Sequence, residues 1–188
     1  MFDFLPRPHR HDSVHLVSER LTLRPLALDD AEDMLLFARD PEVTRYLPWS
    51  PNADLSTVRT FLRDQVNRRR RNESLGLAVV LRATNAVIGS TDLMELKRIP
   101  GEAELGYILA RPYWGQGMMT ESARLTLAYG FSEMALSSIH AWADEENFAS
   151  RKVLQKIGMA FVTTEQRVVK GDQRTYVRYQ TSAPHPLI

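Results

Sequence analysis

Apolar residues recur along the chain with two different periods, and the change from one to the other predicts the order of strands and helices. Alternating or continuous apolar runs, typical of strands, lie at 21–26, 75–81, 87–96, 103–110, 138–143, 161–169 and 175–180. Apolar residues three or four positions apart, typical of amphipathic helices, lie at 28–38, 54–72, 121–134 and 147–158. The 54–72 helix is predicted to turn Leu55, Val58, Phe61, Leu62 and Val66 inward. We therefore expect one domain over 1–188, with an irregular lead at 1–16 and a loose tail at 182–188.

The loop between the fourth predicted strand and the third predicted helix carries the clearest chemical signal. It places Gly115 and Gly117 directly before a helix start. The first N–H groups of a helix have no intrahelical partner and carry partial positive charge, and glycines let an anion approach them closely. A nucleoside-triphosphate loop would need a Gly-Lys pair, which the sequence lacks, and a dinucleotide loop would need glycine where Thr120 stands. The loop is therefore predicted to hold a diphosphate of another kind.

Three blocks, in order, resemble one enzyme family. The 113–123 block, Tyr-Trp-Gly-Gln-Gly-Met-Met-Thr-Glu-Ser-Ala, is similar to the acetyl-CoA loop of the GNAT acetyltransferase superfamily. The 147–159 block resembles the Asn-x-x-Ser helix of its ribosomal-protein N-terminal acetyltransferase branch, and 19–25 resembles the first strand of the family. The resemblance extends from about residue 18 to about residue 180.

The resemblance implies a mixed α+β fold, the GNAT acyl-CoA N-acyltransferase fold. Its mostly antiparallel sheet, flanked by helices, opens between the fourth and fifth strands. Acetyl-CoA enters the opening from one side and the acceptor amine from the other. Gly106, inside the fourth strand, suggests a bulge or a close backbone approach. A backbone N–H freed near Ile108 is expected to face the thioester carbonyl and stabilise its oxyanion.

The resemblance also assigns the residues that bind the cofactor. They lie on the fourth strand, in the glycine loop and at the start of the 147–158 helix: Ile108, Leu109, Ala110, Trp114, Gly115, Gln116, Gly117, Met118, Met119, Thr120, Asn147 and Ser150. Met118 and Met119 are otherwise core residues, and Asn147 is also expected to cap its helix.

Acetyl transfer needs a base for the amine and a proton donor for the departing thiolate. Glu104, on the fourth strand, is the candidate base, with Glu102 on the same face as a weaker rival and substrate positioning as the alternative role. Many family members donate the proton from a tyrosine, but Leu154 stands at that position here. Ser150 becomes the candidate donor, although it is equally well explained as a residue that helps to cap the helix.

The acceptor side is less specified by the sequence. Trp49 and Tyr107 are candidate walls for the apolar part of an amine, although Trp49 is equally well explained by packing beneath its loop. The basic run Arg68–Arg71 reads as a solvated helix end, with a contact to a ribosomal or acidic protein as the alternative. The five histidines show no ligand spacing with carboxylates, so no metal is predicted.

Composition restricts the function classes. The net charge of +1 disfavours a strongly basic nucleic-acid binder, and the absence of cysteine excludes a cysteinyl intermediate. No apolar run approaches the length of a membrane span, which favours a cytoplasmic protein. The sequence thus predicts an acetyl-CoA-dependent N-acetyltransferase that acts by direct transfer, most simply on a protein N-terminal amine. A small amine as the acceptor, or a CoA-binding sensor without turnover, remains open, and the branch resemblance implies a possible homodimer.

Overall fold

A computed structural model describes residues 11–51 and 54–183, and a single eight-stranded sheet runs through them in the order β1-β2-β3-β4-β5-β6-β8-β7. The strands are β1 (Leu16–Val17), β2 (Leu21–Pro25), β3 (Leu75–Leu81), β4 (Ala86–Met94), β5 (Glu102–Leu109), β6 (Ser138–Asp144), β7 (Ala160–Val169) and β8 (Asp172–Ser182). The helices are α1 (Ala31–Ala38), α2 (Pro41–Thr44), α3 (Leu55–Arg70), α4 (Met118–Ser132) and α5 (Phe148–Lys156). Two short 3₁₀ turns lie at Leu28–Asp30 and Arg111–Tyr113. Neighbouring strands are antiparallel except for the parallel pair β5 and β6. The predicted α+β class is confirmed.

The helices cover the two faces of the sheet unequally. Helices α4 and α5 pack on one face, where their apolar residues share a core with Leu77, Leu105 and Ile139. Helices α1 and α3 pack on the other face, where they share a smaller core with Ala78 and Val80. Alternation along β5 therefore turns Leu105, Tyr107 and Leu109 toward α4 and α5, and turns Glu104 and Ile108 toward the opposite face.

The sheet opens between β5 and β6, as the resemblance implied. These strands pair only from Glu102 with Ser138 to Glu104 with His140. Beyond Glu104, β5 continues along β4 while β6 continues along β8. The strands therefore diverge into a V whose apex lies at Glu104 and His140. We call the face toward α4 and α5 the cofactor face and the face toward α1 and α3 the acceptor face, after the two sides that the resemblance implies.

Gly106 makes no bulge. The ladder between β4 and β5 is continuous past Gly106, and a side chain there would meet the flexible end of Met94 rather than backbone. The close backbone approach lies one strand away at Gly89, where a Cβ would sit 2.3 Å from the carbonyl oxygen of Ile108. The one register shift along β4 lies opposite Val79 and Val80 of β3. Gly106 therefore marks no backbone irregularity in β5, contrary to the prediction.

Helix ends follow their local sequence. Asn147 caps α5 as predicted, because its Oδ1 accepts from the Ser150 N–H at 3.1 Å. Gly158 follows the end of α5 with a φ of 87°, which suits its predicted role in terminating the helix. The predicted hairpin turn is confirmed at Lys170 and Gly171, both with positive φ between β7 and β8. None of the helices within residues 11–51 and 54–183 is both long enough and apolar enough to cross a membrane.

The chain termini were predicted as irregular. Residues 1–10 and 184–188, which make up most of the predicted lead and tail, lie outside the described residues. The described part of the lead adds the short strand β1, which pairs with β2 and was not predicted. The predicted tail also begins too early, since Ser182 still belongs to β8.

Candidate active site

The glycine loop has the geometry of an anion cradle. Gly115 and Gly117 have φ values of 73° and 78°, and Gly117 is the residue from which α4 begins. A Cβ at Gly115 would meet nothing within 4 Å, so the space above the loop is open. Within the described chain, the backbone N–H groups of 115–120 donate to no protein acceptor, and the first bonded N–H is that of Glu121, to the Gly117 carbonyl. Six donors at a helix start, beside open space, fit the phosphates of a bound ligand.

Arg20 fixes this loop to the rest of the sheet. Its Nε donates to Glu121 Oε2 at 2.8 Å, and its NH1 donates to the Gln116 carbonyl at 2.9 Å. Glu121 also accepts from the Ser18 hydroxyl at 2.6 Å. Partial burial acts to raise the pKa of Glu121, but the hydrogen bonds from Ser18 and Arg20 outweigh it and lower that pKa. In the sequence, Arg20 was considered only as part of the first predicted strand. Its hydrogen bonds to the glycine loop and to Glu121 were not predicted.

A basic groove continues from the cradle along α4. It is an open groove of about 800 Å³, bordered by Arg20, Arg124 and Lys156 as well as by Gly117 and Thr120. The Arg124 side chain reaches across to the carbonyl of Lys156 at 2.7 Å, which ties α4 to the end of α5. The groove therefore offers positive charge next to the free N–H groups, where a phosphorylated ligand would extend.

The edge of β5 directs different backbone groups toward the opening than predicted. The Ala110 N–H donates to the Ile88 carbonyl on β4 at 2.8 Å. Because N–H directions alternate along an antiparallel pair, the Ile108 N–H also faces β4, and those of Tyr107 and Leu109 face the opening. The Leu109 carbonyl on that edge accepts from the Trp114 indole at 2.7 Å. Of the N–H groups near Ile108, those of its neighbours Tyr107 and Leu109 therefore face the opening, and the oxyanion role of such a group stays a prediction.

On the cofactor face, Ser150 forms a pair with Tyr107. The two hydroxyl oxygens lie 2.8 Å apart, and the Tyr107 hydroxyl is also 3.0 Å from the Ser150 carbonyl. Burial raises the pKa of the Tyr107 phenol well above its usual range, despite the opposing hydrogen bond from Ser150, so the phenol stays protonated. Leu154 is fully buried in the core and offers no polar group. Tyr107 was predicted as an acceptor wall, but its hydroxyl points to the cofactor face, away from Glu104.

On the acceptor face, Glu104 lies beside a histidine that the sequence did not single out. His140 Nε2 is 3.6 Å from Glu104 Oε2. The His140 ring is almost fully buried, and its Nδ1 has no hydrogen-bond partner among residues 11–51 and 54–183. Glu95, at the end of β4, brings a third ligand atom within 4.8 Å of the other two. No metal was predicted because these residues are distant in sequence. The sheet nevertheless assembles a set that could hold a cation, although acidic groups of this kind are common without one.

The family model for the acetyltransferase (GNAT) domain matches residues 20–160. This range holds the glycine loop, the opening of the sheet, and both Glu104 and Ser150. The chain belongs to the GNAT acetyltransferase family. It is an acetyl-CoA-dependent N-acetyltransferase, and the open cradle of backbone donors fits the diphosphate of acetyl-CoA, as predicted.

Proteins that resemble this GNAT enzyme are named for different acceptors. N-acetyltransferase p20 of Bacillus licheniformis is 32% identical over 142 residues, which cover 76% of this chain and 80% of the relative. Spermidine N(1)-acetyltransferase of Escherichia coli K12 is 26% identical, covering 73% of this chain and 72% of the relative. The ribosomal L7/L12 acetyltransferase RimL, solved with coenzyme A, has a TM-score of 0.81 at 17% identity, covering 89% of this chain and 97% of that one. The fold is thus shared by enzymes named for protein and for polyamine acceptors.

Two further features predicted from the sequence are Trp49 and the basic run Arg68–Arg71. Trp49, in the loop after α2, is 44% exposed, and its part in acceptor binding stays a prediction. In the basic run, Arg69 bonds Asp12 at 2.9 Å and Arg71 bonds Glu73 at 2.9 Å. Arg71 is solvated, as expected of a charged helix end, whereas the Arg69 side chain is only 11% exposed and also donates to the Leu26 carbonyl.

Proposed function

We propose that this GNAT enzyme transfers acetyl directly to a protein N-terminal amine in a ternary complex with acetyl-CoA. The observation that carries the proposal is the division of the site by the diverging strands. Glu104 lies on the acceptor face of the V, while Ser150 and the glycine loop lie on the cofactor face. An amine approaching from one face can therefore meet a thioester held from the other, which suits direct transfer.

The acceptor amine must lose a proton as it attacks. Glu104 lies at the apex of the V with His140 beside it, and a carboxylate there accepts the amine proton directly or through one water. Glu102 lies on the same face at the far end of the paired stretch, two residues before the apex, whereas Glu104 is the last paired residue, where the strands begin to diverge. This placement supports Glu104 over Glu102 as the base.

The departing thiolate must gain a proton. We assign this step to the hydroxyl of Ser150. The backbone N–H of Ser150 donates to Asn147, and its Oγ lies within hydrogen-bond distance of the Tyr107 hydroxyl. As the new C–N bond forms and the C–S bond breaks, the Ser150 O–H gives its proton to sulfur and regains one from solvent, while Glu104 releases the amine proton to solvent. Tyr107 remains a hydrogen-bond partner of Ser150 throughout. The N–H of Tyr107 or Leu109 stabilises the oxyanion formed in between.

The acceptor assignment rests on the branch resemblance and on the fold shared with RimL. A small amine is the second candidate, and the relative named as a spermidine acetyltransferase favours it. A sensor without turnover would explain Leu154, which cannot donate a proton. However, the Ser150–Tyr107 pair supplies hydroxyl groups in its place.

Cellular location and assembly are further proposals. We place the enzyme in the cytoplasm, with neither membrane nor nucleic acid as a partner. We also propose a homodimer, because β7 is an edge strand of the described sheet and exposes Phe161 and Val162 by 61% and 46%. Exposed edge strands with apolar residues are commonly covered by another chain.

A panel assay tests the proposed function. Purified enzyme with acetyl-CoA is offered short peptides with free N-termini, the same peptides with blocked N-termini, spermidine and an aminoglycoside, and thiol release is followed. Turnover confined to free-N-terminal peptides supports the proposal. Preferred turnover of spermidine or the aminoglycoside would replace it with the small-amine reading. Binding of acetyl-CoA without turnover of any amine would favour the sensor.

A further inference from the structure

The acceptor face carries an aromatic and arginine cluster that the proposed mechanism does not use. Trp142, on β6, has the Arg167 guanidinium 4.0 Å from its ring centroid and the Arg178 guanidinium at 6.0 Å. Arg167 also lies 5.2 Å from the ring of Tyr176. Stacking on aromatic rings holds both guanidinium groups in place on this face.

Arg178 differs from its neighbours in lacking an acidic partner. Arg174 bonds Asp144 at 3.0 Å, and Arg167 bonds Glu165 at 3.2 Å. Within residues 11–51 and 54–183, Arg178 has no ion pair, and its Nε is buried without a hydrogen-bond partner. An uncompensated charge in a partly buried position lowers stability, so an unpaired Arg178 calls for an explanation.

The cluster lies at the mouth of the V. Trp142 is two residues beyond His140, on the part of β6 that no longer pairs with β5, and Arg178 is its partner on β8. Strand spacing of about 4.8 Å and a rise of about 3.4 Å per residue place Arg178 roughly 12 Å from Glu104, Cα to Cα. Both side chains lie on the acceptor face, so the separation of their charged ends is set by the side chains as well as by the strands.

We propose that Arg178 binds a carboxylate of the acceptor while the reacting amine lies at Glu104. The inference rests on the proposed function and names the acceptor class. The fitting acceptor is an amine with an anionic group roughly 5–10 Å away, the reach of one acidic residue following a peptide N-terminus. Trp142 would cover the apolar atoms between the two charged ends. A polyamine would place a second positive charge against Arg178 and is disfavoured.

The test compares two peptides that differ by one charge. The enzyme acetylates Ser-Glu-Ala-Ala-amide and Ser-Gln-Ala-Ala-amide, and the ratio of their kcat/KM values is measured. We expect the Glu peptide to be favoured about 10-fold, since one charge-assisted hydrogen bond is worth about 1.5 kcal/mol. Arg178→Gln should reduce this ratio to near 1, and Arg178→Glu should invert it. Arg167→Gln is the matched control, because it removes an arginine from the same ring but one that already has Glu165.

The possible results distinguish a failure of the carboxylate site at Arg178 from a failure of the proposed acetyl transfer to peptides. A wild-type ratio near 1, or a ratio retained in Arg178→Gln, overturns the inference while the acetyltransferase assignment stands. If peptides are inert but glutamate is acetylated in preference to glutamine, the carboxylate site stands and the peptide acceptor falls. If no acceptor turns over, calorimetric binding of the two peptides to the enzyme saturated with CoA decides: equal affinity overturns the inference. Acetyl-CoA affinity measured for each variant shows that the fold is intact.

Discussion

The cofactor face and the acceptor face of this enzyme are built in different ways. On the cofactor face, backbone groups of one continuous loop form the proposed diphosphate site, with Gly115 and Gly117 giving access to the N–H groups at the start of α4. On the acceptor face, the proposed site consists of side chains from separate strands, with Glu104 on β5 and Arg178 on β8, and with His140 of β6 beside Glu104. A site made of backbone donors tolerates changes in side chains, whereas a site made of side chains is changed by single substitutions. The same fold can therefore keep its acetyl donor and change its acceptor.

The substitution with the largest expected effect should impair acetyl-CoA binding and leave the acceptor face unchanged. Gly117→Glu puts a carboxylate among the free N–H groups, at a position whose φ of 78° already disfavours any side chain. Acetyl-CoA affinity measured by calorimetry should fall by more than about 100-fold, because like charges and lost donors act together.

Backbone strain needs its own control in that experiment. Gly171→Ala introduces a side chain at a φ of 90° with nothing within 4 Å, in the hairpin far from the loop along the chain. Its stability cost should resemble that of Gly115→Ala, which has a φ of 73° and equally open surroundings. Loss of affinity in Gly115→Ala but not in Gly171→Ala would show that the loop glycine matters for binding. Equal affinity in both would contradict the cradle.

The substitution with the next largest expected effect should impair the acceptor face and leave acetyl-CoA binding unchanged. Glu104→Gln keeps the size of the side chain and removes the base, so kcat should fall by about 10² or more with acetyl-CoA affinity unchanged. The limb of the pH–rate profile that reports base ionisation should also disappear. Glu102→Gln is the control on the same face of β5, and an equal loss there would mean that neither carboxylate is the base.

Substitutions of the two hydroxyl residues next to the departing thiolate should have smaller effects. Ser150→Ala should lower kcat by about 10-fold to 100-fold, and Tyr107→Phe by about 10-fold, each with little change in acetyl-CoA affinity. Because their oxygens lie 2.8 Å apart, the double variant should lose less than the sum of the two in free energy. Strict additivity of the two losses would show that the hydroxyls act independently.

Asp92, a buried acid of β4, should have the smallest effect on activity, and its measurable effect is on stability. Burial raises the pKa of Asp92 to about 7, and in the part of the chain that the structure describes neither its Oδ1 nor the Gln65 Oε1 has a hydrogen-bond partner. Between the unfolded pKa near 3.8 and about 7, the folded state holds a proton that the unfolded state has lost, so stability should fall as pH rises through this window.

Asp92→Asn removes this titration and keeps the shape. The free energy of unfolding at pH 8, measured by urea denaturation, should rise by an amount on the order of 1–3 kcal/mol, and its slope between pH 4 and 7 should flatten. Asp29→Asn, an exposed position, is the control and should change neither. An unchanged or lower stability of Asp92→Asn at pH 8 would mean that Asp92 is ionised and satisfied in the folded protein.

The fold and the cofactor loop could be predicted because their signals are local. Seven of the strands, the four longest helices, the Asn147 cap and the glycine loop all follow from residues within a few positions of one another. Local patterning failed where tertiary packing decides the outcome. Phe61 was expected to face inward but is 39% exposed, while Gln65 on the same helix is buried against β3 and β4.

The acceptor side could be predicted only in part, because its residues meet across strands. Glu104 was found through family resemblance, but its neighbour His140 is 36 positions away and became visible only in the pairing of β5 and β6. Tyr107 was placed on the wrong face because the alternation along β5 was not followed to Ser150. Arg20 was missed because its partners, Gln116 and Glu121, lie about 100 residues later.

The most direct test of the two-sided site is an acetyl-CoA titration of Gly117→Glu and Glu104→Gln, side by side with the wild type. The account predicts that Gly117→Glu loses binding, while Glu104→Gln binds as the wild type does although it turns over far more slowly. Retained affinity in Gly117→Glu, or lost affinity in Glu104→Gln, would contradict the division of the site between its two faces.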